Sequence, residues 1–151
     1  MIKANVEINN KLWKDKIQNP KNYLNNKLKK VSNIINFFEK KNFTFTILLT
    51  NSSKIKKLNK KFRKKNEYTD ALSFPFFSQN NFKSKEIFFY IGDLAVSYEV
   101  INLRSKKSNF FEEFDKAWVH GLLHLVGFDH IKNKDYYKMI RVEKKILNLI
   151  N

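Results

Sequence analysis

Apolar and polar residues alternate from Ile2 to Ile8, with Ile2, Ala4, Val6 and Ile8 on one side, and this period of two predicts a first strand. From Pro20 the period changes. Leu24, Leu28, Val31, Ile34, Ile35 and Phe38 recur at intervals of three and four, so a helix is expected to start at the proline and cover a sheet. Phe43 to Thr50 is rich in β-branched and aromatic residues and reads as a second strand. Asn51 and the serines after it suit the cap of a helix that carries Ile55, Leu58 and Phe62 on one side. Thr69 to Phe77 reads as extended chain closed by Pro75, which disfavours helix in the residue before it. Ser78 to Lys85 is polar enough to be a loop, and Glu86 to Ser97 is expected to be a further strand. Gly92 within that strand points to a bulge or a close backbone approach.

A short helix is predicted from about Tyr98, followed by a basic loop around Arg104, Lys106 and Lys107. The next segment, through Trp118, Val119, Leu122, Leu123, Leu125 and Val126, carries apolar residues on two stripes and predicts a helix buried nearly all round. Ser108 or Asn109 can cap it, and Glu112 and Glu113 occupy the first turn, where the helix dipole favours them. Asp135 to Leu149 forms a last amphipathic helix with Met139, Val142, Ile146 and Leu149 turned inward. Helices and strands mix without the strict alternation of a doubly wound sheet. The expected fold class is therefore α+β: one domain over residues 1–151, a small mixed sheet packed with helices.

The polar stripe of the buried helix holds Lys116, His120 and His124, and all three histidines of the chain lie between His120 and His130. They follow the pattern H-x-x-x-H-x-x-G-x-x-H. On a helix, residues four apart share a face, so His120 and His124 can aim one ring nitrogen each at a single ion. His130 lies too far along a straight helix, by about 9 Å of rise, and the chain must fold back to bring it in. Gly127 sits where that turn is needed, because a residue without a β-carbon enters the left-handed conformation cheaply. The expectation is a zincin-like metal site on His120, His124 and His130, with a fourth position open as in catalytic zinc centres. Zinc is the expected ion, with another divalent transition metal as the alternative. Zinc peptidases of this spacing place Glu directly after the first histidine as general base; here the residue is Gly121.

Composition narrows the setting. Cysteine is absent, which removes disulfides and thiolate ligands and fits a reducing compartment, so a cytoplasmic location is expected. No stretch is apolar for the length of a membrane span, and the N-terminal residues lack a signal-peptide core. Thirty Lys and Arg against fourteen Asp and Glu give a formal charge of +16, which suits a polyanion such as RNA. The lysines from Lys54 to Lys65 read either as a solvated face or as an RNA contact. Arg63 differs in kind, since its planar fork can hold two phosphate oxygens at once. The phenylalanines of the Thr69 to Phe77 segment are read as core; base stacking is the alternative, and it requires exposed rings.

The run from His120 to His130 resembles the signature of the YbeY family of bacterial endoribonucleases. Arg63, the segment Thr69-Asp70-Ala71-Leu72-Ser73-Phe74-Pro75 and the segment Gly92-Asp93-Leu94-Ala95-Val96-Ser97 are similar to its other recurrent pieces, in the family's order. Two departures stand out: Lys64-Lys65-Asn66-Glu67-Tyr68 replaces a glycine, aspartate and proline pattern, and Ile131 follows the third histidine where an acidic residue is common. The resemblance implies a zinc ion on the three histidines and cleavage of single-stranded RNA. It also implies a role in maturing ribosomal RNA, notably the 3′ end of the small-subunit RNA, in ribosome quality control, and contact with the small ribosomal subunit.

Arg63 and His124 are the expected catalytic positions. Zinc would activate water and polarise a phosphodiester oxygen, and Arg63 would stabilise charge building on phosphorus. Asp129 either orients a ligand or caps the turn. The rival readings are a metal-dependent peptidase or other hydrolase on the same ligands, and a non-catalytic RNA-binding assembly factor with a structural zinc.

Overall fold

A computed structural model describes residues 1–32, 41–76, 85–128 and 132–151. Four strands form one sheet: β1 (Ile2–Ile8), β2 (Asn42–Thr50), β3 (Ala71–Pro75) and β4 (Phe88–Ser97), in the order β1-β2-β4-β3. β1, β2 and β4 run parallel, and β3 pairs antiparallel to β4 at the edge. Among the described residues six α-helices surround it: α1 (Leu12–Lys16), α2 (Pro20–Val31), α3 (Ser52–Arg63), α4 (Tyr98–Arg104), α5 (Phe110–Leu125) and α6 (Asn133–Ile150). This is a mixed α+β arrangement, as expected, although the three parallel strands bring helical crossovers that an irregular sequence order did not suggest.

Alternation decides which face of each strand is buried. Ile2 and Ala4 of β1 and Phe43, Phe45, Ile47 and Leu49 of β2 point to one side, where they meet Leu24 and Leu28 of α2 and Trp118 and Leu122 of α5. The opposite side is only partly covered, by Ile55 and Leu58 of α3 over Leu72, Phe74 and Ala95. One layer of helices therefore carries the core, and the second face keeps an open groove.

Several local details differ from the sequence-based expectation. α1, with Trp13 fully buried and its indole N–H donating to Thr50 O at 2.9 Å, had no prediction. α2 is described to Val31, and Ile34, Ile35 and Phe38 lie outside the described residues, as does most of the loop expected from Ser78 to Lys85. α6 turns Ile150 inward and leaves Leu149 exposed, the reverse of the expected end, with Val142 only partly buried. Phe76, expected in the core, is 68% exposed because it lies just past the last residue of edge strand β3.

Gly92 does what its place in a strand suggests. The β2–β4 register slips there, with Thr44 opposite Tyr90 but Phe45 opposite Gly92, so Ile91 is the extra residue of a bulge. Its φ of +135° and the carbonyl of Phe74, which would stand 2.2 Å from a β-carbon, leave room only for glycine.

Candidate active site

α5 begins at Asn109, whose Oδ1 accepts from Glu112 N at 2.8 Å; of the two capping candidates this is the one used, and Ser108 instead donates to Glu113. The helix ends as its glycine requires. Gly127 has φ of +93°, its N–H donates to His124 O at 3.0 Å, and Phe128 N donates to Leu123 O at 2.9 Å. These two bonds are the paired links of a Schellman ending, which turns the chain back after the last helical residues.

His120 and His124 stand on one face of α5, as their spacing predicts, with Nε2 atoms 3.1 Å apart. Each Nδ1 is engaged on the outer side: His120 with Glu143 Oε2 at 3.1 Å, and His124 with Phe128 O at 3.0 Å. A carbonyl oxygen only accepts, so His124 Nδ1 carries its proton and the Nε2 lone pair faces inward. The Glu143 carboxylate does the same for His120. Two lone pairs at that distance repel unless a cation lies between them, a proton or a metal ion. Two nitrogens bound at about 2.0–2.1 Å to a tetrahedral ion would stand about 3.3 Å apart, so the donor pair fits such an ion with little adjustment. The Glu143 hydrogen bond, and beyond it the charges of Glu143 and Asp70, outweigh burial and hold the His120 imidazole above its usual range.

His130 and Asp129 lie outside the described residues. Among the described residues no three His, Asp or Glu side chains are grouped to hold a metal. Glu143, on α6, is the contact that sequence reasoning missed. It is 23 positions from its partner and carries no motif; only the inward face of an amphipathic helix marked its neighbourhood.

Arg63 comes to the same place from the other side. It is the last residue of α3, and its Nη2 donates to Ser73 O on β3 at 3.0 Å. Lys64 then takes the left-handed conformation, φ +58°, which ends the helix and sends the chain toward β3. Ser73 is buried and links the two halves: its Oγ donates to Gly121 O at 3.0 Å, between the two histidines. A cleft of about 570 Å³ thus gathers Arg63, Asp70, Ser73, His120, Gly121 and His124.

Asp70 sits on the wall of this cleft, its carboxylate accepting from Arg104 Nη1 at 2.6 Å, Ala71 N at 2.8 Å and Thr69 Oγ1 at 3.1 Å. Burial pushes its pKa up, but the Arg104 hydrogen bond and charge, with the Ala71 and Thr69 donors, outweigh this and hold it below the usual value. Asp70 is therefore an anion on the cleft wall, paired with Arg104. The lysines of α3, Lys54, Lys56, Lys57, Lys60 and Lys61, are all exposed, as both a solvated face and an RNA contact require.

A family model described as Endoribonuclease YbeY matches residues 7–151, nearly the whole chain. The chain belongs to the YbeY family of endoribonucleases. A Pelagibacter ubique protein named Endoribonuclease YbeY is 44% identical over 152 residues, covering 99% of this chain and 97% of that one. Proteins of the same name from Caldicellulosiruptor bescii and Buchnera aphidicola are 37% and 39% identical, over 78% and 75% of this chain and 79% and 72% of theirs. The solution structure of a Thermotoga maritima protein superposes with a TM-score of 0.63 at 22% identity, covering 99% of this chain and 89% of that one, and so shares the fold. The YbeY-type positions identified in the sequence, Arg63, His120 and His124, meet in one cleft although 57 residues separate Arg63 from His120. No helix among the described residues is long and apolar enough to cross a membrane.

Proposed function

We propose that this chain is a zinc-dependent endoribonuclease that hydrolyses phosphodiester bonds in single-stranded RNA, with His120, His124 and His130 as metal ligands and Arg63 as the phosphate-binding residue. The observation that carries the reading is the convergence of two inward imidazole nitrogens, 3.1 Å apart, with an arginine in one cleft. Metal and guanidinium together suit a phosphodiester better than an amide. Its substrate is proposed to be ribosomal RNA, in maturation of the small-subunit 3′ end and in ribosome quality control, with the small subunit as partner and the cytoplasm as its place of action.

Zinc, when bound, supplies Lewis acidity toward a phosphoryl oxygen and toward water. The chain's own residues supply the rest. Glu143 and the Phe128 carbonyl fix both imidazoles in the tautomer that presents Nε2. The Ser73 carbonyl holds one N–H of Arg63 and so orients the fork, leaving its other donors for the phosphate oxygens. Arg63 then meets the negative charge that grows on phosphorus, a contribution that such preorganised donors make at about 10²–10³-fold each. Gly121 provides no carboxylate for an amide-cleaving mechanism.

The test sets a labelled single-stranded RNA, the same RNA annealed to its complement, and a peptide library before the purified protein, with a His124→Ala sample alongside. Cutting confined to the single strand, lost together with bound zinc in His124→Ala, is the expected result. Peptide cleavage, or RNA cleavage undiminished in the metal-free variant, would overturn it.

A further inference from the structure

β3 is an edge strand, and its residues alternate between two grooves. Ser73 and Pro75 face the cleft of Arg63 and the histidines, whereas Phe74 faces a second groove of about 580 Å³ on the thinly covered side of the sheet. α3 divides in the same way at its last turn: Arg63 reaches the first groove and Phe62 the second. The two grooves are thus separated by the width of one strand.

The second groove has the chemistry of a nucleobase site. Phe62 is 59% exposed and stands edge to face with Phe74, ring centroids 5.4 Å apart, with the Lys61 ammonium 5.3 Å from the Phe62 ring centre. On β4, where Asp93 is the cross-strand partner of Phe74, Tyr90 donates to Asp93 Oδ1 at 2.5 Å, which fixes the carboxylate, and burial followed by that bond holds the phenol above its ordinary pKa. The second oxygen of Asp93 makes no hydrogen bond among the described residues and lies at an exposed position. Glu7 lines the same groove. Two carboxylates repel a phosphate from its interior, while Lys61 beside Phe62 and Arg63 in the adjoining cleft attract phosphates on other parts of the RNA strand. A flat, neutral ring with amino hydrogens on its edge is what this combination accepts.

We propose that the groove between Phe62 and Asp93 is a subsite for one unpaired base of the RNA strand, stacked on the phenylalanine pair and read at its edge by Asp93. The proposal rests on the endoribonuclease reading given above and adds a reason for single-strand selectivity: a base held in a duplex has neither its face nor its edge to offer. It also gives a base preference. Cytosine presents an exocyclic amine to a carboxylate, whereas uracil presents carbonyl oxygens on both sides of its one ring N–H.

End-labelled ten-residue oligocytidylate and oligouridylate, neither able to self-pair, are titrated with the protein by fluorescence anisotropy, and cleavage of a mixed single strand is followed in parallel. The wild type is expected to bind the cytidylate more tightly. Phe62→Ala, at an exposed position that leaves the core intact, should weaken both by about 5- to 100-fold, the worth of one stacked base, and Phe62→Trp should restore them. Asp93→Asn should erase the preference for cytosine. A Phe62→Ala protein with wild-type affinity for both strands, or a preference that survives in Asp93→Asn, overturns the subsite while RNA cleavage dependent on Arg63 stands. A wild type that neither binds nor cuts either strand overturns the endoribonuclease reading and the subsite with it.

Discussion

Gly121 is pressed against Leu94: a β-carbon at position 121 would stand 2.3 Å from Leu94 Cδ1 and 3.2 Å from Ser73 Oγ. Leu94 is itself buried at 1% exposure, so its tip would have to repack to make room. Any side chain in place of Gly121, the peptidase glutamate included, must therefore displace Leu94.

It follows that restoring the peptidase pattern with Gly121→Glu gives a less stable protein and no peptide cleavage. Overpacking alone costs about 1–3 kcal/mol, and confining a carboxylate against Leu94 adds to it. Thermal unfolding should fall by several degrees. An unchanged melting temperature would show that α5 can lift away from β4.

Arg63→Ala should reduce RNA cleavage by about 10²–10³-fold while bound zinc, measured by elemental analysis, stays at the wild-type level. Arg63→Lys should recover little of the loss, because an ammonium cannot both hold the Ser73 carbonyl and fork onto a phosphate. Zinc lost together with activity in Arg63→Ala would make the arginine a structural strut.

Glu143→Gln keeps the shape of the carboxylate and removes its charge. With the outer hydrogen bond to His120 weakened, zinc affinity should drop about 10- to 100-fold in a chelator competition, with little change in unfolding temperature. Equal zinc affinity in both proteins would show that Glu143 is not what orients His120.

The histidine helix, its asparagine cap and its glycine ending were legible because each rests on a local rule: spacing of four, a side chain that satisfies Glu112 N, a residue able to take φ of +93°. Arg63 could be singled out by type but not by position, since only the fold carries the end of α3 to α5. The rest was hidden for physical reasons. α1 spans five residues, too few for a period to show, and its one buried side chain, Trp13, finds its partners in Tyr98, Phe110 and Phe114. Glu143 and Asp115 look like ordinary charges on helices. The pairing that gives each its meaning is long in sequence, 23 residues for Glu143 with His120 and 92 for Asp115 with Tyr23.

Asp70 carries a pH dependence whose sign can be worked out. Its folded-state pKa lies below the ordinary value of 3.8, so its bonds to Arg104, Ala71 and Thr69 stabilise the fold fully above that value and are lost as pH falls through the lower one. Asp70→Asn, which cannot titrate, should flatten the acid limb of the stability curve below about pH 4. Parallel curves for the two proteins in that range would mean that Asp70 is equally acidic when unfolded.

Asp115 is the sharpest case of a buried charge. It is 0% exposed on α5, yet it accepts from Tyr23 Oη at 3.0 Å to each oxygen, from Trp118 Nε1 at 2.8 Å, and from Lys27 Nζ. Tyr23 and Lys27 belong to α2, so one carboxylate ties the first long helix to the helix of the histidines. Burial, then the charge and hydrogen bond of Asp115, raise the Tyr23 pKa far above its ordinary range, so the phenol stays a donor at any working pH. Removing the carboxylate strands the Tyr23 and Trp118 donors and leaves Lys27 only its bond to Asn151 Oδ1. Asp115→Ala should therefore lose about 3–5 kcal/mol in denaturant unfolding, the usual cost of breaking a buried ion pair on one side. Lys27→Met should lose less, because Lys27 is 17% exposed and Tyr23 and Trp118 still satisfy the carboxylate. If both variants lost equally, the ion pair rather than the neutral donors would hold Asp115 in place.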